Sequence, residues 1–473
     1  MDAIPRKSPL ERFLTIFTEV RTGEAPTALM LTLNVFLLLS AYYIIKPVRE
    51  ALIIAGEGAE VKSYAAAGMA LLLLLIVPGY AKLASRLPRR PLINTVTFIF
   101  MGCLVVFYVW AHTAPARTLF TLPLGFVKIP FSLGLVFFLW VGIFNIMVVA
   151  QFWSFANDIY TEEAGKRLFV IVAFGASAGA VLGSKIAGLL IAPLGIPQLL
   201  LVSAAVLGLA LVLTNLVDRR ERARRIPRVV TPDAAPAKPT VDVDAPVGRS
   251  GAFALLYRNR YLLLIAFMIL FLNWVNTTGE YILGRTVQNA ATEAVKNGTA
   301  GGLTEEEFIG EFYSNFFSVV NVVGLLMQLF VVSRILKFLG VKFAILILPL
   351  IALSGYTLLA FAPVLAFVRW AKTAENATDY SLQNTLRGVL FLPTNREEKY
   401  KAKQAIDTFC VRMGDVLSGV LVYVGTVQLS LPVQGFATVN LALVAVWLGL
   451  SLVIGRRYRQ LAAVGAAAAR QAA

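Results

Sequence analysis

Histidine is nearly missing from this sequence: His112 stands alone among 473 residues. Without a second imidazole near it, metal binding or acid–base chemistry through histidine is not expected. Cysteine is almost as scarce. Cys103 and Cys410 both lie in apolar runs, so no disulfide framework is implied. Charge is thin too, at 15% of residues, against about 25% in a typical soluble protein. No nucleophile motif and no zinc-ligand spacing occur. Gly175, Gly179 and Gly183 lack the terminal Gly-Lys-Ser/Thr of a phosphate loop and follow no strand. They fit a face for close helix packing instead. Neither an enzyme nor a bound cofactor is therefore expected. The N-terminus shows no apolar core with a small-residue cleavage site, so no removable signal peptide is expected.

What is abundant is apolar surface. Hydrophobic residues make up 58% of the chain, and the mean hydropathy is +0.74. A membrane span needs about 20 mostly apolar residues. Such spans are expected at 30–55, 64–83, 92–111, 132–155, 168–191 and 198–217, and again at 261–283, 316–335, 343–361, 363–392, 405–424 and 436–454. Between the sets lies 218–251, rich in Arg, Pro and Asp and without an apolar period, which reads as a flexible linker. The expected organisation is a six-helix half (1–217), a cytoplasmic linker (218–251) and a second six-helix half (252–473).

The net charge of +16 suggests nucleic acid only if it gathers on a soluble domain, and none is present. With both termini in the cytoplasm, most basic residues fall in cytoplasmic segments, as the positive-inside rule requires. Only Lys46, Arg49, Lys62, Arg117, Lys128, Arg285 and Lys296 fall outside, and Lys185, Arg369, Lys372, Arg387 and Arg412 fall within spans.

The halves look related. At an offset of 235, Glu162, Glu163, Lys166 and Gly179 fall on Glu397, Glu398, Lys401 and Gly414. A parallel six-plus-six repeat is the arrangement of major-facilitator transporters, which bind substrate at the repeat interface near the bilayer midplane. The expected fold class is an all-α integral membrane protein of about twelve transmembrane helices, with a major-facilitator-like six-plus-six arrangement.

A charge at a span centre costs roughly 2.5–3.5 kcal/mol on insertion scales, so such a residue faces a partner or a watery cavity. The first span carries Lys46, Pro47, Arg49 and Glu50; a snorkelling helix end is the plainer alternative. The seventh carries Glu280 and Arg285. The tenth carries Arg369, Lys372, Glu375, Asn376, Asp379, Gln383, Asn384 and Arg387. Arg369, Lys372, Asn376, Asp379, Gln383 and Arg387 keep a 3–4 spacing, one polar stripe on a helix. A structural ion-pair ladder is the alternative there. The eleventh span brings Asp407, Arg412 and Asp415. The surplus of intramembrane positives favours an anionic solute.

Three stretches, YYIIKPVREALII (42–54), FWSFANDIYTEEAGKRLF (152–169) and DYSLQNTLRGVLFLPTNREEKYKAKQAID (379–407), resemble the nucleotide transporter family of plastids and intracellular bacteria, the ATP/ADP antiporters, which also has relatives in other bacteria. The resemblance runs over nearly the whole chain. It implies secondary exchange of nucleotides or a related phosphorylated anion, and a monomer in a bacterial cytoplasmic (inner) membrane. Four charged positions are tied to transport in that family. Its first-span lysine falls on Arg49, its seventh-span glutamate on Glu280 and a further lysine near Lys403, within KAKQAID. Its fourth-span glutamate falls near Val141, a departure that removes a charge and puts ATP specificity and exchange mode in question. The expected substrate-binding set is Lys46, Arg49, Glu280, Arg285, Arg369, Lys372, Glu375, Asp379 and Lys403. The rivals are a proton-coupled carrier of another organic solute, with Glu280, Glu375 or Asp379 titrating, and a non-transporting scaffold or sensor.

Overall fold

The computed structural model describes residues 8–15, 18–113, 118–124, 127–225, 256–395, 398 and 402–472. After a short helical turn at Pro9–Leu14, twelve long helices follow. The first six are α1 (Ala25–Glu57), α2 (Ala59–Arg86), α3 (Arg89–Thr113), α4 (Leu133–Ile159), α5 (Glu162–Leu194) and α6 (Gln198–Arg225). The second six are α7 (Arg260–Lys296), α8 (Glu305–Phe338), α9 (Gly340–Phe361), α10 (365–389), α11 (Lys403–Gln428) and α12 (Val433–Ala472). Among the described residues, eleven of these are long and apolar enough to cross a membrane. The twelfth, α10, is the polar one. Helix starts follow ordinary capping chemistry. Thr161 caps α5, and Thr304 forms a reciprocal capping box with Glu307 at α8.

Two features depart from the sequence expectations. Strands β1 (Thr118–Leu124) and β2 (Val127–Ser132) pair antiparallel between α3 and α4, where only a connection was expected. Helix α6 runs to Arg225, past the expected linker start, because Asp218 is buried and paired with Arg89 and with Arg222 one turn on. The remainder of that linker, with Ala234 and Ala235, lies outside the described residues. Cys103 is only half-buried, while Cys410 is buried.

Packing repeats from half to half. Helix α1 packs on α4, α5 and α6; α7 packs on α10, α11 and α12; α3 meets α6 as α9 meets α12. The starts of α1 and α7 differ by the same 235 residues read from the sequence. Glycine permits the closest of these contacts. A Cβ at Gly175, Gly179 or Gly183 of α5 would sit 2.4, 2.3 or 2.5 Å from the carbonyl oxygens of Thr32, Phe36 and Ser40 in α1. Gly414 of α11 makes the matching approach, where a Cβ would lie 2.9 Å from the backbone nitrogen of Trp274 in α7.

The halves meet through α5 with α8, α2 with α11, α1 with α8 and α2 with α7. These contacts gather toward the end where Gly58, at φ +93°, turns α1 into α2 within one residue. There the backbone N–H of Ala59 donates to Gln288 of α7 at 3.3 Å. Gly310 of α8 is closed over by Ile191, Ile196 and Ala51, and Tyr64 sits edge-on to Tyr423.

Candidate functional site

Where the halves face each other they frame a cavity of ≈ 360 Å³. Helices α1, α2 and α4 line one side, and α7, α8, α10 and α11 the other. Cavities of this size suit small ligands.

Helix α1 supplies Tyr42, Lys46, Arg49 and Glu50, several turns inside the helix rather than at its end. Pro47 cannot donate a helical hydrogen bond, and irregular helix of that kind is tolerated beside a cavity. Lys46 is 8% exposed. Among the described residues it has no ion pair. Aromatic rings surround it instead, with Phe317 at 4.0 Å and Tyr43 at 4.9 Å from its Nζ, and Tyr42 and Tyr380 both at 6.0 Å. Glu50 is fully buried and joins two cations: the guanidinium of Arg49, and Nζ of Lys62 at 2.7 Å.

The opposite wall centres on Glu280. Its carboxylate takes Lys372 at 3.5 Å and the amide of Asn376 at 3.0 Å, both from α10, and Lys62 at 3.8 Å from the other half. Lys372 also donates to Asn276 at 2.8 Å and pairs with Glu375 at 3.2 Å, and Glu375 accepts from Tyr356 at 3.0 Å. On α11, Arg412 pairs with Asp415 at 2.9 Å, and Asp415 accepts from Thr277 at 2.8 Å.

Five of the expected site residues thus come together. Lys46, Arg49 and Glu280 line the cavity, with Lys372 and Glu375 directly behind Glu280. Four do not. Arg285 pairs with Glu60 at 3.2 Å and lines a second cavity toward the Gly58 end. Arg369 lies near the start of α10, 5.8 Å from the rings of Phe312 and Trp370. Asp379 pairs with Arg387 at 3.4 Å. Lys403 pairs with Asp407 at the start of α11. For Asp379 and Lys403 the reasons are geometric. A π-helical turn over Asp379–Gln383 breaks the 3.6-residue register of α10, so the stripe read from its sequence divides. Arg412 lies nine residues beyond Lys403 in α11, about 13 Å along the helix, and it is Arg412 that reaches the cavity.

Sequence reasoning left out Glu50, Lys62, Asn145, Asn276, Arg412 and Asp415 as binding residues, although all line the cavity. Asn145 carried a usable signal, being a carboxamide inside an apolar run, and Asn276 another, standing with Asn273, Thr277 and Thr278 in a polar break of the seventh span. Val141 is 0% exposed and packs in the apolar core, while Phe138, Gly142 and Asn145 of α4 face the cavity. The fourth helix therefore contributes no carboxylate to the site.

The first quarter of the sequence matches a family described as TLC ATP/ADP transporter, over residues 5–122. Similarity to individual relatives runs well beyond that quarter. ADP,ATP carrier protein 1 of Chlamydia pneumoniae is 23% identical over 93% of each chain. The protein of the same name from Chlamydia trachomatis is 24% identical over 93% of this chain and 90% of its own.

The chain resembles the TLC ATP/ADP transporters.

Solved structures agree on the fold of this TLC-like chain. A nucleoside transporter superposes with a TM-score of 0.52, at 14% identity, over 92% of this chain and 98% of its own. A bacterial homologue of the iron transporter ferroportin, in its inward-facing state, superposes with a TM-score of 0.59, at 13% identity, over 91% and 98%. The protein is a multi-pass membrane protein with a major-facilitator-like fold.

Proposed function

We propose that this protein is a secondary transporter that exchanges nucleotides of the ATP/ADP type, or a related phosphorylated anion, by alternating access between its halves. The observation that carries this reading is the charge pattern of the interface cavity. Arg49, Lys62, Lys372 and Arg412 each lie within 4 Å of a carboxylate, whereas Lys46 has no ion pair among the described residues and lies among four aromatic rings. A polyanion entering such a site exchanges partners with Glu50, Glu280 and Asp415, and a buried pair tolerates that only when the lost partner is replaced. Lys46 and Arg49 would take phosphate oxygens, Arg49 through its planar fork. Tyr42, Phe138, Phe317 and Tyr380 offer ring faces for a base. The ATP/ADP carriers named above, similar over almost all of the chain, support the same substrate class. The basic segments support both termini in the cytoplasm and, with bacterial relatives, an inner-membrane location.

The test is exchange in liposomes. Vesicles holding purified protein and internal ADP should take up labelled ATP in a saturable manner, and vesicles without internal nucleotide should take up little. Uptake that follows a pH gradient and ignores internal nucleotide would favour the proton-coupled carrier. Thermal shift against a panel of nucleotides, phosphates and organic acids reads the substrate class independently of transport.

A further inference from the structure

The second cavity, ≈ 790 Å³, lies toward the Gly58 end and is lined by Glu60, Tyr281, Arg285, Asn289, Glu293 and Gln434, among others. Tyr281 lines this cavity and the central one alike. It is almost fully buried, stands edge-on to Phe436 at 4.8 Å and donates to Glu60 at 3.3 Å. On either side of it, α2 and α7 are joined by two ion pairs. Glu60 with Arg285 faces the second cavity, and Lys62 with Glu280 faces the central one. Both pairs cross from one half to the other. They have opposite polarity, acid on α2 in one and base on α2 in the other.

We infer that this two-rung seam is the gate between the central site and the second cavity, and that Lys62 senses the substrate. The inference rests on the nucleotide reading for the identity of the ligand, but not for the existence of the gate. Lys62 is 6% exposed and shared between Glu50 of its own half, at 2.7 Å, and Glu280 of the other, at 3.8 Å. The Glu280 link is the longer of the two, and it is the one that ties the halves together. Glu280 keeps Lys372 and Asn376 when it releases Lys62, so its carboxylate is not left unpaired. A phosphate group beside Arg49 competes for Lys62 from within the central cavity. Taking Lys62 away from Glu280 removes the inner rung, and the outer rung with Tyr281 then holds the seam alone. The second cavity is accordingly the vestibule on the far side of the gate. Lys62 is a positioning residue, acting through Glu280 on the contact between halves.

The experiment reads passage through the seam. Ser63 lines the central cavity one residue from Lys62. In full-length protein with Cys103 and Cys410 replaced by serine, Ser63→Cys is reconstituted and exposed to a membrane-impermeant thiol reagent on the side of the second cavity. The parent should react slowly without nucleotide and at least several-fold faster with ATP. Lys62→Gln should raise the nucleotide-free rate about tenfold and abolish the response to ATP. Lys62→Arg, which keeps the charge, should restore the slow rate. Arg285→Gln removes the outer rung and should also speed the nucleotide-free reaction, so the seam stays testable if Lys62→Gln does not fold. Equal nucleotide-free rates in the parent, Lys62→Gln and Arg285→Gln would overturn the gate. A fast Lys62→Gln in a protein whose parent neither binds nor responds to ATP would leave the gate standing and remove the nucleotide reading instead.

Discussion

Arg49 and Glu280 stand on opposite walls of the cavity, each already held by partners from its own half, Glu50 and Lys372. If Arg49 takes a substrate phosphate, Arg49→Ala should abolish exchange. Arg49→Lys should retain part of it, since lysine keeps the charge and loses the bidentate fork. Glu280 is negative and repels phosphate. Its carboxylate competes with substrate for Lys62 and Lys372 and so helps substrate leave, and Glu280→Gln should change turnover more than binding. Near-normal exchange by Arg49→Ala, at equal protein insertion, would sink the phosphate role of α1. Much of this site was readable in the sequence, because a cluster such as Lys46, Arg49 and Glu50 inside an apolar run has few physical outcomes. Lys62 was not. Four residues past Gly58, it looks like an ordinary charge at a helix end, and only the one-residue turn reveals that α2 begins already packed against α7. Arg369 failed in the opposite direction, matching the helical stripe by spacing while lying beside Phe312 and Trp370, away from the cavity.

At the scale of the helix, the α1–α5 seam is the most constrained contact. A side chain at Gly179 would meet the carbonyl oxygen of Phe36, which is backbone and cannot rotate aside. Gly179→Ala should therefore destabilise the protein by roughly 1–3 kcal/mol, the usual cost of overpacking. Gly102 in α3 has nothing within 4 Å of the same virtual Cβ, so Gly102→Ala should leave the melting temperature unchanged. Thermal unfolding of the two variants in detergent separates them, and equal melting temperatures would argue against a tight seam. The glycine spacing signalled this contact from sequence, since small residues four apart have one common use in a membrane. The π turn of α10 gave no such signal. It answers to tertiary packing, which single-helix periodicity does not contain.

For the whole molecule, the proposal of two halves joined by a dispensable linker makes two measurable claims. Halves expressed as separate chains, divided near Ala235, should assemble and transport, because most of that segment's composition cannot form a core. Assembled halves without activity would give the linker a role in the transport cycle. A cysteine at Asn297 should react with an impermeant reagent from outside, and one at Ala234 should not. The reverse result would invert the proposed orientation and put the second cavity on the cytoplasmic side. The six-plus-six plan was legible in the sequence because hydrophobic length and the 235-residue echo are both one-dimensional signals. The pairing of β1 with β2 was not, each strand being too short to separate from a loop by pattern alone.

The close fit of α1 against α5 also bears on how the chain is made. Most of α1's closest glycine contacts are with α5, which the ribosome has yet to synthesise when α1 is complete. At roughly 5–20 residues per second, α1 waits on the order of ten seconds for α5 to be finished. During that interval Lys46, Arg49 and Glu50 sit in a newborn helix without their final surroundings. After Arg49 in the same helix, Lys62 is the next partner of Glu50 to emerge, directly behind the Gly58 turn, so this pair can form before α5 exists. The order of translation thus makes the charged contact available before α5 is present to close over the helix pair.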